Sequence, residues 1–265
     1  MNCEAPRPGP AGLLDLRLRD GAQLALFLDF DGTLLDVAPT PDAAVAPDGL
    51  TGLLAELSAA LGGALAVVTG RAIADLDLRL APYRGAAAGI HGAEIRFDPA
   101  RQAARQAAAL DSGVLVEIRR LARFEPRLLI EDKGASIAVH FRAAATAERR
   151  LERELTDYVA ASRGGLRLLR GRKVFEILGD GFSKGEALAR FMAAPPFSGR
   201  KPVMIGDDQT DEPAIQACIA RGGFGFTVAG GFFRADQADF AGPDAVRAWL
   251  AELAAPPARS GGQGA

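Results

Sequence analysis

This chain is poor in the residues that build metal clusters, disulfide frameworks and membrane spans. Its 265 residues include two cysteines and two histidines, Cys3, Cys218, His91 and His140. So few soft ligands exclude a Cys/His zinc cluster, and two thiols so far apart make no disulfide framework. Reduced thiols in a cytoplasmic protein are the expectation. No apolar run approaches the roughly 20 residues that a membrane helix needs. Met1 to Pro10 is polar and proline-rich, without the basic start and apolar core of a secretory signal. Charge of neither sign dominates, with 31 Lys and Arg against 33 Asp and Glu, so no overall basic field exists to attract a nucleic acid. No Gly-x-x-x-x-Gly-Lys-Ser/Thr loop or Gly-x-Gly-x-x-Gly turn follows the first apolar run, which weakens a nucleotide-binding reading. The absence of Gly-x-Ser-x-Gly removes the usual α/β-hydrolase reading.

What is present is an ordinary globular composition, 49% hydrophobic and 24% charged, able to bury a real core. The length suits one core with an insertion. The organising stretch is Ala25-Leu26-Phe27-Leu28-Asp29-Phe30-Asp31-Gly32-Thr33-Leu34, an apolar run that ends abruptly in two carboxylates. Residues two apart on an extended chain point the same way, so Asp29 and Asp31 can converge. Two readings stand at this point: the acids merely end a buried strand, or they seat a hard cation and a phosphate.

The rest of the chain divides by texture. Residues 1–22 read as a tail with a short helix around Leu13 to Leu18, and 256–265 as a disordered tail. Leu50, Leu53, Leu54, Leu57 and Leu61 recur at helical spacing. Ala64 to Val68 is a second buried strand, stopped by Thr69-Gly70-Arg71. A strand, helix and strand in this order form a βαβ unit with parallel strands. Helix Ala72 to Leu80 and a strand near Ala86 to Ile90 follow. Between 97 and 178 the pattern changes to a helix over Arg101 to Ala122, a hairpin (Arg127 to Glu131 and Ser136 to Arg142) and a helix from Thr146 to Ala161. A strand from Val174 to Leu178 closes this block. The core resumes with a helix opened by Ser183, a strand Pro202 to Gly206, a strand near Phe224 to Val228 and a helix Pro243 to Leu253. The expected fold class is α/β: a Rossmann-like parallel-sheet core (23–96 and 179–255) with a small α+β unit (97–178) inserted.

Three strand ends then carry polar groups: Asp29 with Asp31, Thr69, and Asp207 with Asp208. Carboxylates from two strands plus a backbone carbonyl suit Mg²⁺, which takes octahedral oxygen ligands. With no activated Ser, Cys or His, the natural nucleophile is a carboxylate. In order along the chain, Asp29-Phe30-Asp31-Gly32-Thr33, Thr69-Gly70-Arg71, Lys184-Gly185 and Gly206-Asp207-Asp208-x-x-Asp211 resemble the four motifs of the haloacid dehalogenase superfamily of phosphohydrolases. That resemblance implies Asp29 as nucleophile and Asp31 as general acid and base. It implies Thr69 and the Gly70 amide on the phosphoryl oxygens, and Lys184 as their neutralising charge. Mg²⁺ would sit on Asp29, the Asp31 carbonyl and Asp207, backed by Asp208 and Asp211. Arg71 reads as a helix-start or structural residue, His140 as a core histidine or one that supports a site residue from behind, and His91 stays open between core and site.

Further stretches resemble trehalose-6-phosphate phosphatases: Gly89-Ile90-His91-Gly92-Ala93-Glu94, Glu131-Asp132-Lys133-Gly134, Val139-His140-Phe141-Arg142 and Gly171-Arg172-Lys173-Val174-Phe175-Glu176-Ile177. The resemblance implies a cap that closes over the core and offers Glu131, Lys133, Arg142, Lys173 and Glu176 to sugar hydroxyls. The competing reading of these charges is an ordinary solvated strand face. The implied substrate is a sugar phosphate, trehalose 6-phosphate, with a functional link to the trehalose-6-phosphate synthase. The alternatives are another capped phosphatase, for sucrose 6-phosphate or mannosyl-3-phosphoglycerate, and a non-catalytic sugar-phosphate sensor.

Overall fold

The computed structural model describes residues 9–13, 23–38, 40–162 and 164–255. Most of the expected tail helix, and all of the tail after residue 255, lie outside the described residues. Within 9–13, Leu13 is fully buried and the Pro10 carbonyl accepts a hydrogen bond from Trp249 Nε1.

Seven strands form one sheet: β1 (Leu24–Leu28), β2 (Leu65–Val68), β3 (Ala86–Gly89), β4 (Glu94–Arg96), β5 (Ala104–Arg105), β10 (Lys201–Gly206) and β11 (Phe224–Thr227). Their order is β11-β10-β1-β2-β3-β4-β5. The first four neighbour pairs are parallel; the last two, β3 with β4 and β4 with β5, are antiparallel, so β4 alone is reversed. Every residue of β1, β2 and β3 is buried. Successive side chains of a strand point to opposite faces, so both faces of the sheet are covered. The cover comes from α1 (Leu50–Ala60), α2 (Ile73–Leu80), α5 (Lys184–Met192), α6 (Glu212–Ala220) and α7 (Pro243–Ala254). Phe27 of β1 stacks on Phe197 at 5.5 Å, and Phe191 of α5 lies 4.9 Å from Phe197. Burial of each such ring contributes roughly 1.5–3 kcal/mol.

The second sheet has the order β6-β7-β9-β8, from β6 (Leu129–Asp132), β7 (Ser136–His140), β8 (Leu166–Gly171) and β9 (Val174–Gly179). All its pairings are antiparallel. Helices α3 (Ser112–Leu121) and α4 (Glu148–Ala161) cover one face of it. There Ile118, Leu151 and Leu155 meet Ile137, Val139, Phe175 and Ile177 in a separate apolar cluster.

Where the elements differ from expectation, local chemistry explains it. The helix expected over 101–122 begins at Ser112, because the Asp111 side chain caps it by accepting from Gly113 N. Ahead of that cap the chain pairs as β5 instead. The sequence reading had no counterpart for β8, whose Leu-Arg-Leu-Leu-Arg-Gly run lacks clean alternation. It also lacked β4 and β5, which are only a few residues long. Ser183 caps α5 as expected, accepting from Glu186 N at 3.0 Å.

Candidate active site

Parallel register decides which side chains meet. Leu28 lies opposite Ile205 on one side and Val67 on the other. The residues that follow these three therefore leave the sheet at one carboxyl edge, where ligands of open α/β sheets bind. Asp29, Thr69 and Asp207 are all buried there. Lys184, in the first turn of α5, reaches the same edge. Its Nζ donates to Asp29 Oδ1 at 2.5 Å and to Asp211 Oδ1 at 2.6 Å.

Carboxylates outnumber cations at this edge. One ligand oxygen each from Asp29, Asp207 and Asp211 falls within a sphere of mutual separations under 4.8 Å. Burial, then the Asp211 charge, pushes the Asp29 carboxyl up to about 6. Burial, then Asp29 and Asp211, pushes Asp207 up to about 9. Lys184 rises above its usual range, because Asp211 and Asp29 outweigh the burial that opposes its charge. Asp207 Oδ1 is buried without a hydrogen-bond partner among the described residues. Gly32 adopts a φ of +89°, and a Cβ there would overlap the Asp207 carboxylate, so glycine alone leaves that carboxylate its place. An excess of buried oxygens with one unsatisfied is a donor set that fits a hard divalent cation.

The neighbouring acids are differently engaged. Asp211 Oδ2 accepts from Asp208 N at 3.0 Å, which closes a reciprocal capping box. Asp208 Oδ2 accepts from Arg172 N of the loop between β8 and β9 at 3.1 Å. Asp31 keeps its carboxylate out of the cluster. Arg71 grips it with two bonds, Nε to Oδ2 at 2.5 Å and Nη2 to Oδ1 at 2.7 Å. Arg71 also donates to Asp75. The residue that sequence reading left at the helix start thus touches the candidate acid. The i, i+4 spacing of Arg71, Asp75 and Arg79 signals the ion pairs among these three, not the bond to Asp31. Thr69 is not the cap of α2, because the cap position is Ala72. Its Oγ1 accepts from Arg71 N at 3.1 Å, and Glu94 Oε2 satisfies the Ile73 amide instead.

The second sheet turns its other face to this edge. Alternation sends Ile137, Val139, Phe175 and Ile177 to the helices. It leaves Leu129, Glu131, His140, Leu169, Val174 and Glu176 on the opposite side, and these six line a cavity of about 540 Å³ whose other wall includes Asp29, Asp31, Thr69, Lys184 and Asp207. That volume is within the range of small-molecule sites.

The structure gives the predicted polar residues of this wall different surroundings. Glu176 is buried and Lys133 half-buried, with Lys133 Nζ donating to Glu176 Oε1 at 3.2 Å and to the Gly70 carbonyl at 2.9 Å. Glu131 accepts from His140 Nε2 at 2.9 Å, so His140 is partnered at the cavity wall. Arg142 is exposed and donates to the Ala38 carbonyl across the cavity mouth. Lys173 is paired with Glu148 at 3.0 Å, and both side chains are 43% exposed. His91, left open from sequence, is buried and hydrogen-bonded to Glu176 at 3.1 Å. No helix among the described residues is long and apolar enough to cross a membrane.

Known proteins share this sequence and architecture. The family model described as trehalose-phosphatase matches residues 27–222. A probable trehalose-phosphate phosphatase of Sinorhizobium fredii is 42% identical over 207 residues, covering 77% of each chain. A trehalose-6-phosphate phosphatase of Escherichia coli is 37% identical over 230 residues, covering 86% of each. The C-terminal domain of a Candida albicans trehalose-6-phosphate phosphatase superposes with a TM-score of 0.76 at 22% identity, covering 96% of this chain and 99% of that one. That last likeness speaks for the fold; the family model and the two sequence relatives carry more, and by them the chain belongs to the trehalose-phosphatase family.

Proposed function

We propose that this protein hydrolyses trehalose 6-phosphate to trehalose and phosphate, with Mg²⁺ as cofactor and an aspartyl-phosphate intermediate. One observation carries the reading. Asp29 is buried at a strand end with Lys184 at 2.5 Å, on the floor of a cavity roofed by the second sheet.

Asp29 attacks phosphorus in line, and the sugar O6 leaves with the electron pair of the P–O bond. Asp31 supplies the proton to that oxygen, and then takes one from the water that cleaves the acyl phosphate and restores Asp29. For both transfers the Asp31 carboxyl must leave the Arg71 grip. Lys184, the Thr69 hydroxyl and the Gly70 amide hold the phosphoryl oxygens where charge develops. Asp29, Asp207 and the Asp31 carbonyl would hold Mg²⁺, whose charge lets an anionic nucleophile approach an anionic phosphate. Asp211 and Asp208 brace this set through Lys184 and the backbone amides they bind.

Residues 97–178 act as the cap. Glu131, Lys133, Arg142 and Lys173 are its candidates for the sugar hydroxyls, because charged groups make strong hydrogen bonds in a closed cleft. Glu176 lines the same wall with both oxygens already bonded to protein. We assign the reaction to the cytoplasm, on the low cysteine content, downstream of a synthase that makes the sugar phosphate.

Phosphate release from a panel of sugar phosphates, with and without Mg²⁺, tests the reading. Preference for trehalose 6-phosphate is expected. Equal rates across the panel would overturn the substrate, and activity surviving Asp29→Asn would overturn the mechanism.

A further inference from the structure

A second, smaller cavity of about 240 Å³ adjoins the catalytic edge. Lys184, His91, Leu169 and Thr210 line both cavities and so form a shared wall. Ala38 and Arg142, at the mouth of the larger cavity, do not reach the smaller one. Its other boundaries are β8 of the second sheet, the turn Gln209–Asp211 and the start of α5.

Alternation along β8 brings Arg167 to this cavity. Leu166 and Leu168 pack on the apolar cluster under the helices, while Leu169 lies opposite Glu176 in the register. Arg167 therefore shares the core-facing side with Leu169.

No group of the protein answers the Arg167 charge. Its Nε is buried without a hydrogen-bond partner, and among the described residues its side chain makes no hydrogen bond or ion pair. Three residues on, Arg170 shows the usual arrangement, with Nε donating to Glu152 Oε1 at 2.6 Å. Glu212 also lines the smaller cavity, but it is exposed and forms no ion pair with Arg167. A buried N–H that loses water without gaining an acceptor costs about 1–3 kcal/mol, and such a group in a folded protein calls for an explanation. The turn that shares this cavity offers Gln209 and Thr210, whose side chains have no hydrogen-bond partner among the described residues either.

These three side chains define the ligand chemistry. A guanidinium fork matches the oxygens of a phosphate, and a hydroxyl and a carboxamide supply further donors to the same kind of acceptor. The Lys184 charge is taken by Asp29 and Asp211, so the open cation here is Arg167. The volume equals that of roughly eight liquid waters at about 30 Å³ each, room for a tetrahedral oxyanion and some of its water, and below the roughly 300–1,000 Å³ of sites for larger organic ligands.

We infer that Arg167, Gln209 and Thr210 form a second oxyanion site, which takes the inorganic phosphate released across the shared wall at Asp29. The choice of phosphate rests on the phosphatase reading, whichever sugar is hydrolysed. Phosphate held there leaves the Asp29 pocket open to substrate, so part of the product inhibition persists at high substrate.

Inorganic phosphate is the probe. The full-length wild type and Arg167→Met, both with Mg²⁺, would be titrated with it by calorimetry. Initial rates of trehalose 6-phosphate hydrolysis would be taken at several phosphate concentrations. Wild type should bind two equivalents and show mixed inhibition. In Arg167→Met the second equivalent should weaken roughly tenfold or more and inhibition should become purely competitive, with kcat/KM in the absence of phosphate changed by less than about twofold. Fewer than two equivalents in wild type, or two of unchanged affinity in the variant, would overturn the inference. If Arg167→Met does not fold, Arg167→Gln removes the same charge and gives the same readout. Wild-type failure to hydrolyse trehalose 6-phosphate would count against the proposed substrate alone, since the binding stoichiometry needs no turnover.

Discussion

The two walls of the cleft hold their charges in opposite ways. On the core side, Lys184, Asp29 and Asp211 are 3%, 6% and 0% exposed, locked among one another at the ends of buried strands. On the cap side, Glu131 and Lys173 are each 43% exposed, and their partners lie within the cap itself. The core gains strong fields from its low dielectric and loses freedom to adjust. The second-sheet wall leaves these charges exposed and screened. Chemistry that is the same for every phosphate ester suits the rigid wall, while recognition of one sugar suits the adjustable one. Lys133 and Glu176 cross this division, being residues of the second-sheet wall whose side chains are only 10% and 6% exposed.

The comparison breaks most severely at Asp29. Asp29→Asn should lower turnover of any phosphate ester by about four orders of magnitude with circular dichroism unchanged, whatever the cap does. Lys184→Met comes next. Removing the buried ammonium leaves Asp29 and Asp211 without their counter-charge, a loss of about 3–5 kcal/mol that would appear as a lower melting temperature. A smaller stability change on substituting Lys184 would show the core wall to be wetter than its burial implies.

Protons and Mg²⁺ should also act on the core wall. Burial, then the neighbouring carboxylates, pushes Asp29 and Asp207 up to about 6 and about 9 in the folded chain, against roughly 4 when unfolded. Between those values the folded state binds more protons, so their contribution to stability falls as pH rises from about 4 toward 9. A divalent cation removes this repulsion. Its gain in melting temperature should therefore be several degrees larger at pH 8 than at pH 5, and equal gains would contradict the assignment. The smallest effect is expected on the adjustable wall. Arg142→Ala should raise KM for trehalose 6-phosphate about tenfold and leave p-nitrophenyl phosphate turnover unchanged.

Legibility in the sequence followed how local each feature is. The strand carrying Asp29, the turn at Thr69 and the strand ending in Asp207 each announce themselves within ten residues, and parallel pairing brings their ends together. Ser183 and Lys184 are equally local, a cap followed by the first helical turn. The bonds that couple distant elements left no such mark. Nothing periodic tells that Arg71 grips Asp31, that Glu94 caps α2, or that His91 bonds Glu176 across 85 positions. The face assignment of the second sheet is intermediate. Alternation in Ser136 to His140 separates its sides, but only the helices over Ile137 and Val139 say which side is inward.

The place of β1 inside its sheet also bears on how the chain is assembled. Lys184 lies 155 residues beyond Asp29, and β10, which borders β1, comes later still. At roughly 5–20 residues per second, one edge of β1 stays unpaired for many seconds of synthesis, an exposed template of the kind that invites wrong pairing. The strands of the second sheet have their partners close in sequence, the quicker kind of contact to close. The ribosome thus delivers the nucleophile's strand well before its β10 neighbour, so that edge of β1 is enclosed late.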